Sequence, residues 1–279
     1  MPIGPARMPL LDHLGELRMR LVRIVVVLIV AICVFYFAAP TIVTFLIEPI
    51  RDSLAINGDG EVILNVLDPL EAFSVRFSVS FWAAIVATSP IILWQILAFF
   101  LPALKPKERK WFIPTFAAAT ALFILGTVFC YFIILSPAFG WLTDQAMGVM
   151  QIDARASSYI DIIIKFEIGF GFAFELPLIV FYLTVFGVIP YVKLRAQWRI
   201  VYTVLIILSA MITPDASPVT MLLMFAALVL LYEGSLFVAR LVMGKDKIKA
   251  QTEELEAQKA EEEAAQAEWE AMKAARRAE

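Results

Sequence analysis

The fold class is decided by the segment LDHLGELRMRLVR, residues Leu11–Arg23, which leads directly into the apolar run Ile24–Ala39. Charged side chains, among them Glu16 and Arg20, fall on one face of a helix built from this segment. The opposite face is apolar, because leucines recur at helical spacing at Leu10, Leu14, Leu17 and Leu21. The segment therefore predicts an amphipathic helix that continues into a membrane span.

The composition is that of a membrane protein with several helical spans. Of the 279 residues, 61% are apolar and the mean hydropathy is +0.82, whereas about half the residues of a soluble domain are apolar. Cys33 and Cys130 lie inside apolar runs, which argues against a disulfide framework or a metal site, and we expect no cofactor. The run Ile24–Ala39 is longer than the roughly 7–15 apolar residues of a cleaved signal peptide, so it is predicted to be a retained span.

The sequence predicts an all-α integral membrane domain over residues 1–243, with six hydrophobic helices at about Leu21–Ala39, Phe73–Phe99, Trp111–Leu135, Tyr159–Phe186, Arg199–Ile212 and Val219–Leu241. The first four reach the about 20 residues that cross a bilayer. The last two have short apolar parts and are joined by the turn TPDASP, so they predict a short hairpin. Residues 244–279 form a charged tail, predicted to be helical or disordered, whose interspersed acids and bases argue against nucleic-acid binding.

The distribution of bases predicts the orientation. Nineteen of the 23 lysines and arginines lie in the N-terminal segment, in two alternate loops and in the tail. By the excess of bases in cytoplasmic loops, both termini are expected to be cytoplasmic. The outer segments at about 40–72 and 136–158 are predicted to contain short interfacial helices that cap the outer face, with Pro49 bending the first.

Polar side chains inside spans are costly and usually face a cavity or a partner. Glu167 and Glu175 in the fourth helix, and Gln95 in the second, are such residues. Each acid is interpreted either as a protonated group bonded to a neighbouring helix or as a polar point on a concave face. The second interpretation is favoured for Glu175, because Pro177 follows it.

Two further acids lie on the predicted cytoplasmic side. Glu16 is interpreted as the ion-pair partner of Arg20, four residues later. Glu108 is interpreted as an acid neutralised by the bases around it. Alternatively, the two carboxylates bind a doubly cationic ligand, with Phe99 as an apolar wall. No enzyme is predicted, since His13 is the single histidine and no HExxH motif is present. A proton-coupled secondary transporter is the alternative, but no inverted repeat supports it.

Four segments, in order along the chain, resemble one known family. These are LLDHLGELRMRL (10–21), SPIILWQILAFFLPALKPKER (89–109), FAFELP (172–177) and MITPDASP (211–218). Over about Leu10–Met243 the chain is similar to the TatC subunit of the twin-arginine protein translocase. The resemblance implies that Glu16 and Glu108, with Phe99 and Arg18, bind signal peptides. It implies functional positions at Glu175 in the membrane and at Pro49 and Asp215 on the outer face.

The resemblance also implies a function and partners. A protein of this family is a multi-pass receptor in the bacterial cytoplasmic membrane that binds paired-arginine signal peptides of folded cargo proteins. It assembles with TatA-like and TatB-like single-span subunits, as a homo-oligomer within the complex, and export is driven by the proton-motive force. Membrane lipid is expected around it.

Overall fold

The computed structural model describes residues 10–54, 64–100, 109, 112–146, 154–185, 187–214 and 217–278. Nine α-helices occupy most of these residues: α1 (Leu10–Ile47), α2 (Pro69–Phe100), α3 (Phe112–Phe129), α4 (Leu135–Asp144), α5 (Ala156–Ala173), α6 (Leu176–Val185), α7 (Tyr191–Ala196), α8 (Trp198–Ile212) and α9 (Pro218–Ala278). A 3₁₀ helix (Glu48–Ser53) follows α1, and a π-helical turn (Cys130–Ile134) joins α3 to α4. The predicted all-helical class is confirmed.

Five stretches of these described residues are long and apolar enough to cross a membrane: Leu14–Arg51, Pro69–Phe99, Phe112–Asp144, Ala156–Val185 and Pro218–Gly244. The predicted short helix is Trp198–Ile212, with 15 residues. At 1.5 Å per residue it is about 22 Å long, less than the about 30 Å of hydrocarbon in a bilayer. Successive spans run in opposite directions. The start of α1, the end of α2 and the start of α3 therefore lie at one end of the bundle, here called the N-terminal end.

The first helix is longer than predicted, because it passes through Pro40 instead of ending at Ala39. A proline has no N–H, so the carbonyl of Tyr36 four residues earlier loses its helical donor. Arg76 on α2 supplies the missing hydrogen bond, since its Nε donates to the Tyr36 carbonyl at 3.1 Å. The guanidinium also lies over the Tyr36 ring at 4.6 Å. A contact 40 residues away in sequence therefore sets the length of α1.

Two prolines deep within predicted spans, Pro90 and Pro177, behave differently. Pro90 leaves α2 continuous, and the Ser89 hydroxyl donates to the carbonyl of Val86, the group that Pro90 cannot reach. Pro177 removes the bond to Ala173, and there the predicted fourth helix is broken into α5 and α6, with Glu175 in the break. The predicted fourth span is one apolar stretch, Ala156–Val185, whose helix is interrupted by two residues at Phe174 and Glu175.

The third helix continues through the π-helical turn into α4, and ends at Asp144 rather than near Leu135. The extra residue of a π turn re-aims the side chains that follow it. Tyr131 in this turn stacks on Phe45 of α1, with ring centroids 4.4 Å apart, and its hydroxyl donates to the Phe45 carbonyl at 2.8 Å. The turn thereby fixes α1 against the third span.

The far end of the bundle from the N terminus carries the predicted cap. The 3₁₀ helix packs against α4, and Pro49 lies half-buried in its first turn. The segment before α2 pairs with the segment before α5: the Asn65 N–H donates to the Ala154 carbonyl at 2.8 Å, and the Ala156 N–H to the Asn65 carbonyl at 2.9 Å. Backbone and side-chain contacts therefore join the two outer segments.

The sixth predicted helix extends as α9 through the charged tail to Ala278, with a kink at Gly244. The φ of Gly244 is 73°, a left-handed conformation that favours glycine. The Tyr191 N–H donates to the side-chain oxygen of Gln251 at 3.1 Å, so the first turns of the tail contact α7.

Small residues bring α3 and α5 close together. A Cβ on Gly126 would lie 2.6 Å from the Phe170 carbonyl oxygen, and one on Gly171 would lie 2.8 Å from Cε2 of Phe123. Neither site has room for a side chain, so these glycines permit the helices to approach, as expected of small residues between membrane helices. The crossing holds α5 in the middle of the bundle and so positions Glu167, which lies on it, and Glu175, which lies just beyond its end.

Candidate functional site

Glu16 lies in the second turn of α1, where one arginine holds one of its carboxylate oxygens. Arg20 Nε and Nη2 both donate to Glu16 Oε1, at 3.0 and 2.5 Å. The Arg20 side chain is 17% exposed and the Glu16 side chain is 24% exposed. Glu16 Oε2 is buried and has no hydrogen-bond partner among the described residues. The predicted ion pair therefore exists, and it uses only half of the carboxylate.

Gln95 completes this arrangement from α2. Its side-chain oxygen accepts a hydrogen bond from Arg20 Nη1 at 3.2 Å, across 75 residues of sequence. Gln95, predicted as an intramembrane polar residue, thus lies beside Glu16 at the N-terminal end of the bundle. Its contact fixes the guanidinium, and the guanidinium fixes the orientation of the carboxylate.

Phe99 lies one turn beyond Gln95 on the same face of α2 and is half-buried. Arg18 is exposed on α1. Glu108 lies outside the described residues. Its neighbour Arg109 is half-buried, and Arg109 Nε has no hydrogen-bond partner among the residues that the structure describes. The structure thus brings Glu16, Gln95 and Phe99 to one end of two adjacent helices.

Glu167 is the more buried of the two acids on the fourth span, with 1% of its surface exposed. It lies beside Cys130, where the π-helical turn begins. One of its oxygens, Oε1, has no partner within the described part of the chain. A carboxyl this deep is neutral or needs a partner, since an isolated charge there is very costly.

Glu175 is half-buried in the break between α5 and α6. Its backbone carbonyl starts α6 by accepting from Leu178 and Ile179, at 3.1 and 3.2 Å. Its Oε1 is buried and unpartnered among the described residues. The break therefore presents a carboxyl at mid-helix, separate from the fully buried Glu167.

The structure describes one of the two residues that were predicted to lie on the outer face. Pro49 lies in the 3₁₀ helix that packs on α4, as described above. Asp215 lies outside the described residues. The residue two positions later, Ser217, caps α9, since its Oγ accepts from the Val219 and Thr220 N–H groups at 3.2 and 3.4 Å.

Two long-range ion pairs were not predicted. Glu71 Oε1 accepts from Arg155 Nε at 2.9 Å and from the Ser157 N–H at 3.2 Å, while Oε2 accepts from the Leu67 N–H at 3.1 Å. The hydrogen bond with Glu71 raises the pKa of Arg155. Because 84 residues separate the partners, no local spacing in the sequence points to this pair.

The second unpredicted pair lies near the tail. Arg195 Nη1 donates to both oxygens of Glu233, at 2.9 and 2.7 Å, and the Tyr202 hydroxyl donates to Oε1 at 2.8 Å. The hydrogen bond with Glu233 raises the pKa of Arg195. The only signal in the sequence is that Glu233 interrupts an apolar helix, which requires a partner without naming it.

Comparisons with known proteins agree on one family. Residues 12–226 match the TatC family, described as the Sec-independent protein translocase protein. The TatC protein of Deinococcus radiodurans is 33% identical over 84% of this chain and 87% of that protein. The TatC protein of Aquifex aeolicus is 34% identical over 86% of this chain and 98% of that protein.

A solved structure supports the same assignment. It is described as the crystal structure of the twin-arginine translocase receptor TatC, and it is 31% identical to this chain. The match has a TM-score of 0.68 and covers 83% of this chain and 100% of the other. The chain belongs to the TatC family, and it is a membrane component of the twin-arginine protein transport system.

Proposed function

We propose that the chain is the receptor of its translocase and that it binds paired-arginine signal peptides of folded cargo at the N-terminal end of α1 and α2. The observation that carries the proposal is the half-occupied carboxylate of Glu16. Its Oε2 is buried without a partner among the described residues, while Arg20 and Gln95 hold Oε1 and the guanidinium in place. A pre-oriented carboxylate oxygen is a suitable acceptor for an incoming guanidinium.

Two arginines in the ligand require two acids in the site. Glu108 is proposed as the second, because it precedes Arg109 in the loop between α2 and α3, which starts from the same end of α2 that carries Gln95 and Phe99. Phe99 is proposed as an apolar contact for the peptide, and Arg18 as a basic contact or orientation anchor on the exposed face of α1.

The apolar part of the signal peptide is proposed to pass along a concave face toward Glu175. Glu175 lies where α5 ends and α6 begins, and its unpartnered oxygen gives that face a polar point. The short α8 supports local thinning of the bilayer beside this path, because a helix about 22 Å long does not match about 30 Å of hydrocarbon. Glu167 is the candidate for proton coupling.

The membrane arrangement is part of the proposal. Six crossings with both termini in the cytoplasm follow from the five long helices, from α8 as a short sixth and from the distribution of bases. The proposed location is the bacterial cytoplasmic membrane. The proposed partners are TatA-like and TatB-like single-span subunits and further copies of this chain, with transport driven by the proton-motive force. Pro49 and Asp215 are proposed as outer-face contacts for these partners.

Binding of a labelled twin-arginine peptide to the full chain in detergent micelles tests the site. Charge-assisted hydrogen bonds contribute about 1.5–3 kcal/mol each, so Glu16→Gln and Glu108→Gln should each weaken binding by about 10-fold to 100-fold. The double variant should bind no better than a peptide with both arginines replaced by glutamine. Fluorescence anisotropy over a peptide titration gives the affinities.

Glu253→Gln is the matched control. Glu253 is four residues from Lys249 and pairs with it at 3.9 Å, the same spacing as Glu16 and Arg20, but in the exposed tail. Its replacement should leave peptide affinity unchanged. Wild-type affinity in the Glu16→Gln, Glu108→Gln double variant would contradict the proposed site.

A further inference from the structure

A groove with a polar mouth and an apolar floor runs along α1 at the end of the bundle that carries the cap. It consists of two adjoining cavities of about 450 and 460 Å³ that share Thr41 and Phe45. The polar cavity is lined by Thr44, Glu48 and Tyr131. The other is lined mainly by apolar side chains of α1 and α2, with Trp82 and Ala87 opposite Phe35.

The dimensions of the groove fit one leaflet of a bilayer. From Phe35 to Glu48 are 13 helical residues, or about 20 Å along α1. Half of the hydrocarbon thickness is about 15 Å, and the remainder reaches the headgroup layer. A membrane-spanning partner helix needs about 30 Å, half as long again as the groove, whereas one acyl chain of a phospholipid with its headgroup at Glu48 fits within the groove.

The charges at the mouth fit a zwitterionic headgroup. Glu48 and Arg51 lie one turn apart on the 3₁₀ helix, with Arg51 Nη1 3.8 Å from Glu48 Oε1, and both side chains are more than half exposed. An exposed pair at this distance is weak, so both charges are available to a ligand. A carboxylate suits an ammonium group, and a guanidinium suits a phosphate.

The wall of the groove is fixed before any ligand arrives. The Tyr131 ring stacks on Phe45, and its hydroxyl donates to the Phe45 carbonyl, so the side chains around the mouth are held in place. The Tyr131–Phe45 contact therefore gives this open groove a defined polar end before a ligand binds.

We propose that this groove binds a phospholipid with a primary-ammonium headgroup, such as phosphatidylethanolamine. The ammonium bonds to Glu48, the phosphate faces Arg51, and one acyl chain lies in the apolar cavity against Trp82 and Ala87. The acyl chain then occupies the groove between α1 and α2, next to the 3₁₀ helix. The proposed orientation places the groove in the outer leaflet, and only that placement rests on the proposed function; the site itself does not depend on signal-peptide binding.

Native mass spectrometry of the full chain in non-ionic detergent, titrated with dioleoyl phosphatidylethanolamine, phosphatidylcholine or phosphatidylglycerol, tests the proposal. One phosphatidylethanolamine should bind about fivefold more tightly than the other two lipids, since the trimethylated ammonium of choline donates no hydrogen bond and glycerol carries no charge for Glu48. Equal affinity for the three lipids would overturn the proposal.

Two variants separate the headgroup from the chain. Glu48→Gln should lower phosphatidylethanolamine affinity about fivefold, to the level of phosphatidylcholine. Ala87→Phe, at an exposed position on the groove wall, should weaken all three lipids by about tenfold or more, because the ring fills the space of the acyl chain.

The matched controls are Asp144→Asn, an exposed acid at the end of α4, and Ala121→Phe, an exposed alanine on α3. Both should bind phosphatidylethanolamine as the wild type does. Loss of affinity in the controls equal to that in the groove variants would overturn the site. Because Glu48 is exposed, Glu48→Gln tests the proposal even where Ala87→Phe does not fold.

Discussion

Glu16 and Glu71 lie at opposite ends of the helical bundle and differ in how fully their oxygens are used. Both oxygens of Glu71 accept hydrogen bonds, from Arg155, Ser157 and Leu67. Only one oxygen of Glu16 does so, and the other is buried without a partner among the described residues. Glu71 therefore joins two segments of the fold, whereas the proposed role of Glu16 is to accept a hydrogen bond from a ligand.

Glu233 supports this distinction. It accepts from Arg195 on both oxygens and from the Tyr202 hydroxyl on one. Like Glu71, it joins elements distant in sequence and has no oxygen left unoccupied. A buried polar group without a partner costs free energy, so the oxygen of Glu16 that has no partner among the described residues supports the proposal that a ligand binds there.

The largest expected effect is on stability at Glu71. Glu71→Ala removes three hydrogen bonds and leaves the Leu67 and Ser157 N–H groups without their acceptor. We expect a loss of about 3 kcal/mol in the free energy of unfolding. Denaturant titration in mixed micelles, followed by circular dichroism, measures it. Peptide binding by the folded protein should be unchanged, and a loss below about 0.5 kcal/mol would show that Glu71 does not join the outer segments.

Glu16→Gln should have the opposite profile. Glutamine keeps an oxygen for Arg20 but loses the charge, so the free energy of unfolding should fall by about 1 kcal/mol, while peptide binding weakens by about 2 kcal/mol, or roughly 30-fold. The two measurements are made on the same preparation. An unfolding loss as large as that of Glu71→Ala, with binding intact, would assign Glu16 to the fold instead.

Arg20→Gln tests how the resting ion pair relates to the ligand. Arg20 occupies Oε1 and leaves Oε2 open, so it orients the carboxylate without blocking it. We therefore expect peptide binding to weaken by about 1 kcal/mol, or roughly fivefold. A gain in affinity would mean instead that Arg20 competes with the incoming guanidinium and is displaced by it.

The smallest effect is expected at Glu253. Its pair with Lys249 is exposed on both sides, with side-chain exposures of 68% and 79%. Such pairs contribute about 0.3–0.5 kcal/mol, so Glu253→Gln should change neither stability nor binding by more than that amount. A larger effect on binding would place the tail in the site.

Several features of the fold could be predicted because they depend on local sequence. The apolar runs predict the long helices, and the short apolar run predicted at Arg199–Ile212 agrees with the short α8. Helical spacing alone pairs Glu16 with Arg20. The ends of the helices are less predictable. Pro40 ends a helix by local rules, yet α1 continues because Arg76 satisfies the carbonyl that the proline leaves open.

Among the candidate site residues, the sequence identified Gln95 as polar within a span but not its contact with Arg20, 75 residues away. It also placed Glu167 and Glu175 on one helix, whereas a break at Glu175 separates them. The Arg20–Gln95 contact depends on which helices pack together, whereas the break at Glu175 has a local cause, the missing N–H of Pro177.

By itself, the sequence determined that this is a helical membrane protein of the TatC family, where its apolar helices run and which acids interrupt or precede them. Only the tertiary structure decided which carboxylates are satisfied, because the donors to Glu71 and Glu233 come from segments far away in the chain. It also decided that one oxygen of Glu16 has no partner in the described protein. The local pattern of apolar residues predicts which helices are buried in the membrane. Which buried polar side chains find hydrogen-bond partners depends on contacts between residues far apart in the sequence.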